Sequence, residues 1–189
     1  GIKVSEYVVA LDPVSAMNHV YLGFQYLAAG RLDDAADAFR AGLSLSPGYL
    51  GASFFLGQTL LLKGEPRAAL EAMRAESSEA ARLAGLAIAH HTLGQTHESN
   101  AALQQLIERH ENSASYLIAT ALAWRGEADR AFEWLDKAAT RHDSVLFTVT
   151  GDPLFANVHS DPRWISFLRS HGLAPEQLAA IKFDVKLPQ

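Results

Sequence analysis

The chain has 189 residues, no cysteine, a net charge of −5 and a pI near 5.9. These figures exclude a disulfide framework, thiolate zinc sites and a cysteine nucleophile, and they leave no basic footprint for nucleic acid. No apolar run approaches the ~20 residues of a membrane span, and "GIKVSEYVVALDP" lacks the basic segment and long apolar core of a secretion signal.

The first element is an amphipathic helix, because Val4, Tyr7, Val8 and Leu11 fall at i, i+3, i+4 and i+7 before Asp12-Pro13 ends the run. It looks like the second helix of a repeat whose first helix is missing. Residues 1–13 are therefore expected to be the remnant of a preceding repeat in a longer protein. Beyond it, a glycine recurs between the end of one apolar helix and a charged helix start: Gly30, Gly64, Gly94 and Gly126. The separations are 34, 30 and 32 residues. Such glycines take positive φ at helix C-termini, and Asp33, Glu65-Pro66 and Glu127 favour the start of the helix that follows. Small residues recur as well. Gly23, Gly57, Ala87 and Ala119 lie on first helices, and Ala35, Ala69 and Ala131 lie on second helices. Two helices of a pair can cross closely at such points, with large residues three or four positions away filling the space between pairs.

A helix-turn-helix period near 34 is that of the tetratricopeptide repeat, and the stretch from Ala16 resembles that family through Leu22, Gly23, Tyr26, Ala35, Phe39 and Pro47. Gly42 stands where the family has alanine and His19 where tryptophan is usual. The second unit keeps Leu56, Gly57 and Ala69, with Leu60 and Met73 in place of aromatics. The third is worn, with Leu86, Ala87, Ser99 and Leu103, and the fourth has Ile118, Ala119, Leu122, Ala131 and Leu135. The resemblance implies an all-α, right-handed α-solenoid of about four units, at residues 16–49, 50–79, 80–111 and 112–143. "GDPLF", "SDPRWISFLRSHG" and "APEQLAAI" each open on a helix-start residue followed by proline. Capping helices are therefore expected over 144–182, with Trp164, Phe167, Leu168 and His171 as one stripe. The tail, 183–189, alternates Phe183, Val185 and Leu187 and reads as an extended segment suited to an apolar groove. The segment from Asp152 to Leu173 also resembles the ends of tetratricopeptide tails in bacterial multidomain signalling proteins.

In this family the first helices line the inner face of the curve. Its phase places Met17, Val20, Tyr21, Phe24 and Leu27 there in the first unit. Phe54, Phe55, Gln58, Leu61 and Leu62 follow in the second; Ala84, Ile88, His91 and Thr92 in the third; Tyr116, Thr120 and Trp124 in the fourth. None is Lys or Arg, so a clamp for an acidic C-terminus is not expected, because carboxylate capture needs charged or amide donors. An apolar and aromatic lining suits a helix or an extended apolar segment of a partner. The expected groove comprises Val20, Tyr21, Phe24, Leu27, Phe54, Gln58, Leu61, Ile88, His91, Tyr116, Thr120 and Trp124.

Other chemistry finds little support. His90 and His91 diverge by about 100° around a helix and His97 lies past a turn, so a metal or small-molecule site at these histidines is a remote alternative. No nucleophile elbow, phosphate-cradling glycine loop or catalytic carboxylate pair is present. Glu71, Glu76 and Glu79 read as solvated charge on outer faces or turns. The sequence thus points to a non-enzymatic module that binds a protein or peptide, with no cofactor, no nucleic acid and no membrane. A regulatory or self-associating domain, forming a homo-oligomer, is the alternative. A cytoplasmic location is expected, and a periplasm would suit the cysteine-free composition as well.

Overall fold

The computed structural model describes residues 1–181, and all regular structure among them is helical. After α1 (Ile2–Leu11) the chain runs through pairs: α2 (Ala16–Ala28) with α3 (Leu32–Leu45), and α4 (Ala52–Leu62) with α5 (Pro66–Arg74). Next come α6 (Glu79–Thr92) with α7 (Thr96–His110), and α8 (Ser115–Trp124) with α9 (Ala128–Thr140). Each pair also packs on the next, so the fold is an α-solenoid. Two short 3-10 turns, Leu146–Thr148 and Pro153–Val158, lead to α10 (Pro162–Ser170) and α11 (Pro175–Ala179). The expectation for residues 183–189 lies outside the described residues. No helix among the described residues is long and apolar enough to cross a membrane.

The bend inside each pair has one chemical solution. Gly64 has φ +77°, its N–H donates to the Leu61 carbonyl at 2.9 Å, and the Glu65 N–H reaches back to the Leu60 carbonyl at 2.9 Å. That left-handed cap closes α4 and costs glycine little, because it has no Cβ. Gly30, Gly94 and Gly126 repeat the geometry.

The small residues admit a large neighbour. A Cβ on Gly23 would lie 2.7 Å from the Phe39 ring, and one on Gly57 or Gly85 would lie 2.5 or 2.8 Å from Met73 Cγ. Met73 of α5 therefore fills the hollow of its own first helix and that of the next pair. Close helix approach of this kind gives the dense contact that dispersion requires.

The third pair replaces alanine by Ser99, and the structure supplies the reason that it is tolerated. Ser99 is buried, its hydroxyl donates to the Ala87 carbonyl at 2.6 Å, and it accepts from Arg125 Nη1 at 2.7 Å. Arg125 also donates to Asn100 Oδ1 and to Glu127 Oε1, both at 2.6 Å, tying α7 to the turn before α9.

Glu76 corrects the expectation of a solvated charge. It is only 2% exposed, in the joint between α5 and α6. Its Oε1 accepts from the Gly51 and Ser78 N–H groups at 3.0 and 2.9 Å, and its Oε2 accepts from the Phe54 N–H at 3.1 Å. Helix α4 starts at Ala52 and has no side-chain cap of its own. A carboxylate brought from 22 residues away in sequence satisfies its orphan donors instead.

Candidate interaction face

Helices α2, α4, α6 and α8 lie in order along one side of the solenoid, each in contact with the next. The Trp124 indole N–H donates to the Thr92 hydroxyl at 2.9 Å, joining α8 to α6 on this side. The face has an open part and a covered part.

The open part belongs to α2. Tyr21 is 58% exposed and Met17 is exposed beside it, whereas Phe24 and Leu27 are half-buried. The Phe24 ring stands edge-on to Phe55 at 4.3 Å and to Phe39 at 5.5 Å, which fixes its position. Val20 points elsewhere: its Cγ2 would meet a Cβ on Gly42 at 2.8 Å, so it packs between α2 and α3.

The covered part lies under residues 148–158, which form a strap along the inner side. Its turn Pro153–Val158 packs on α8, with Leu154, Phe155 and Val158 buried. Phe155 sits 5.5 Å from the Tyr116 ring and stacks on Trp164 of α10 at 5.8 Å. Asp152 leads the turn. Its Oδ1 accepts from the Leu154 N–H at 3.0 Å, an ordinary helix cap, and from Gln58 Nε2 at 2.9 Å. Its Oδ2 accepts from the Tyr116 hydroxyl at 2.9 Å. Farther along, Asn157 Nδ2 donates to the Trp124 carbonyl at 2.6 Å.

This arrangement corrects the expected open lining. Gln58 is 2% and Tyr116 5% exposed, because their polar tips are engaged by Asp152. Thr120 is buried, with its hydroxyl donated to the Tyr116 carbonyl at 2.8 Å. Phe54, Leu61 and Ile88 belong to the core rather than to a ligand surface. Trp124 is half-buried and His91 is exposed. The expectation that "GDPLF" begins a capping α-helix is likewise modified, because it forms a 3-10 turn on the inner face. Sequence reasoning missed Asp152 and Asn157 as partners of this face. The available signal was Gln58 and Tyr116, two polar side chains at positions where an apolar lining is expected.

Family models described as tetratricopeptide repeat match residues 26–75 and 84–144, together more than half of the chain. The chain belongs to the tetratricopeptide repeat family. Among solved structures it is similar to MamA, with a TM-score of 0.54 and 21% identity over 76% of this chain and 87% of that one. It is also similar to YrrB, described as a TPR protein with an unusual peptide-binding site, with a TM-score of 0.52 and 17% identity over 95% of this chain and 89% of that one. At these identities the likeness is one of fold. No curated protein matches the chain significantly.

The histidines of this tetratricopeptide protein are dispersed. His90 Nδ1 lies 2.5 Å from Gln95 Oε1, His91 and His97 are exposed, and among the described residues no three His, Asp or Glu gather as a metal would require. Desolvation by neighbouring groups, together with the Arg125 charge, holds the His91 imidazole below its ordinary value.

The contacts of Asp152 have an electrostatic consequence. Burial pushes its carboxyl up, against the pull of the Leu154 N–H, Tyr116, Gln58 and the His159 ring. Burial and then the Asp152 charge push the Tyr116 phenol up as well. A carboxyl raised in the seated strap prefers its proton there. Its contribution to seating is therefore fully present below the ordinary carboxylate range, near 4, and is lost as pH rises through the raised value. Asp161, held down at about 2 by Arg163, stays ionised across that window. Amide protection in residues 152–158, corrected for intrinsic exchange, is expected to fall as pH rises above the ordinary carboxylate range, and Asp152→Asn should flatten the dependence. A slope unchanged by Asp152→Asn would assign it to another group.

Proposed function

We propose that this chain is a protein-interaction module without a reaction of its own, holding an apolar and aromatic segment of a partner against the open inner face of α2. The observation that carries this reading is Tyr21, 58% exposed beside Met17, with Phe24 and Leu27 half-buried behind it. Exposed aromatic side chains on a rigid, paired-helix platform are effective anchors, because ordering them costs little entropy. The absence of Lys and Arg among the lining residues favours an apolar helix or extended segment over an acidic one. We place the module in the cytoplasm, within a larger bacterial regulator, on the resemblance of its C-terminal segment to tails of that kind.

The test is site-directed crosslinking. A photoreactive residue at Tyr21 should capture a partner by its mass-identified peptide, and the same residue at Arg40, exposed on α3, should not. Tyr21→Ser should weaken the captured partner's affinity about tenfold, the effect of losing one strong anchor. Capture from Arg40 alone, or unchanged affinity in Tyr21→Ser, would refute the reading.

A second reading, self-association, draws on α1. Val4, Tyr7 and Leu11 form an apolar stripe that faces outward, and no residue of α1 is buried. A contiguous exposed stripe of this type marks a contact surface.

A further inference from the structure

We infer that the inner face running from α4 to α8 is a receptor for a short segment of the pattern Asp-Pro-aliphatic-aromatic, and that residues 152–158 are a copy of the segment supplied by the chain itself. The occupant we assign to this face in trans is a partner-protein segment of the same chemistry, which displaces the strap. This deepens the reading of an interaction module, on a part of the face separate from Tyr21.

The apolar side chains of the strap join the hydrophobic core, and its polar contacts fall at fixed points, as those of a bound segment do. One carboxyl group is shared between Gln58 on α4 and Tyr116 on α8, at 2.9 Å each. The same group caps its own turn through the Leu154 N–H, so the acid both shapes the segment and anchors it. The apolar contribution comes from Leu154, Phe155 and Val158, buried on a single turn. Asn157 fixes the register through the Trp124 carbonyl. A six-residue 3-10 turn has little stability of its own, so its conformation depends on the face it occupies.

A second observation concerns the Gln58 amide itself. Gln58 Oε1 is the only buried side-chain nitrogen or oxygen without a hydrogen-bond partner among the described residues. It belongs to the amide whose other end grips Asp152. An unpaired buried acceptor opposes the seated state, and a competing segment that presents a donor there avoids the penalty. The strap is also flanked by exposed apolar side chains, Val145 and Phe147, at its start. It competes through being tethered, which gives it a high effective concentration that only a well-matched partner segment overcomes.

The probe is a fluorescent peptide of residues 150–160, used with Asp152→Ala and Phe155→Ala versions of itself. The receptor is the full chain carrying Leu154→Ser and Phe155→Ser, which release the strap, with helical content checked by circular dichroism. The released chain should bind the unaltered peptide at least tenfold more tightly than the wild-type chain does, and at least tenfold more tightly than it binds either altered peptide. Adding Gln58→Ala or Tyr116→Phe should weaken that binding, whereas adding Tyr21→Ser should leave it unchanged. Failure here therefore leaves the Tyr21 crosslinking result standing, and the reverse also holds. A folded released chain that ignores the peptide, or takes all three peptides alike, overturns the proposal. Should the released chain unfold, hydrogen exchange in the wild type decides. Amides of 152–158 should open at least tenfold more often than those of α8, and equal rates would mean that the strap leaves only on global unfolding, which refutes displacement.

Discussion

Replacing Glu76 by alanine is expected to destabilise the fold by about 3 kcal/mol. The carboxylate serves three backbone N–H groups, of Gly51, Phe54 and Ser78, at 2.9 to 3.1 Å. Hydrogen bonds to a charged acceptor contribute about 1.5–3 kcal/mol each, and donors stranded in a buried joint lose their solvation without return. Water entering the vacated space offsets part of this sum, so the estimate stays near the value for two bonds. Glu76→Gln should lose about half as much. Its carbonyl oxygen can keep the place of Oε1, serving Gly51 and Ser78, while its amide nitrogen opposes the Phe54 N–H. Urea titration of the three proteins, with hydrogen exchange at the start of α4, measures both effects. Equal midpoints for wild type and Glu76→Ala would show the carboxylate to be dispensable.

Gly57→Val should cost a comparable amount, about 3 kcal/mol, by overpacking. The added Cβ alone would lie 2.5 Å from Met73 Cγ and 3.1 Å from the Ala69 carbonyl oxygen. The methionine can swing aside, but the backbone oxygen cannot, and Met73 has no free space because it already sits against Gly85. Gly57→Ala gains about 1 kcal/mol in helix propensity and still loses, because small-to-large changes in packed cores cost about 1–3 kcal/mol. Met73→Ala, at a fully buried position, should cost about 2–5 kcal/mol alone. Combined with Gly57→Val it should cost at least 1 kcal/mol less than the two single losses together, because the valine occupies the space the thioether leaves. Strict additivity would show that Gly57 and Met73 do not meet.

These two cases separate what the sequence makes legible from what it hides. Gly57, Gly64 and their counterparts could be read because their cause is local. A turn that needs positive φ and a helix crossing that needs a small side chain recur with the period of the repeat. Tyr21 and Phe24 followed from the same period, since a helix phase states which residues share a side. Glu76 could not be read in that way. Nothing near it in sequence distinguishes a solvated glutamate from one that caps a helix begun 24 residues earlier. Gln58, Tyr116 and Thr120 were placed on the inner side by their phase, but phase is silent on whether anything covers that side. The cover is Asp152-Pro153-Leu154-Phe155, a stretch whose local pattern reads only as a helix start. Its destination is decided by a carboxylate meeting partners 94 and 36 positions away.

That long reach bears on how the protein comes into being. A stack of helix pairs is a linear assembly, in which each newly made pair can settle on its predecessor as soon as it leaves the ribosome. The contact between residues 58 and 152 breaks that order. The platform is complete only with Tyr116, 36 positions before Asp152, so at about 5–20 residues per second it waits about 2–7 s for its occupant. Throughout that interval the nascent protein presents an uncovered face to every chaperone and partner nearby.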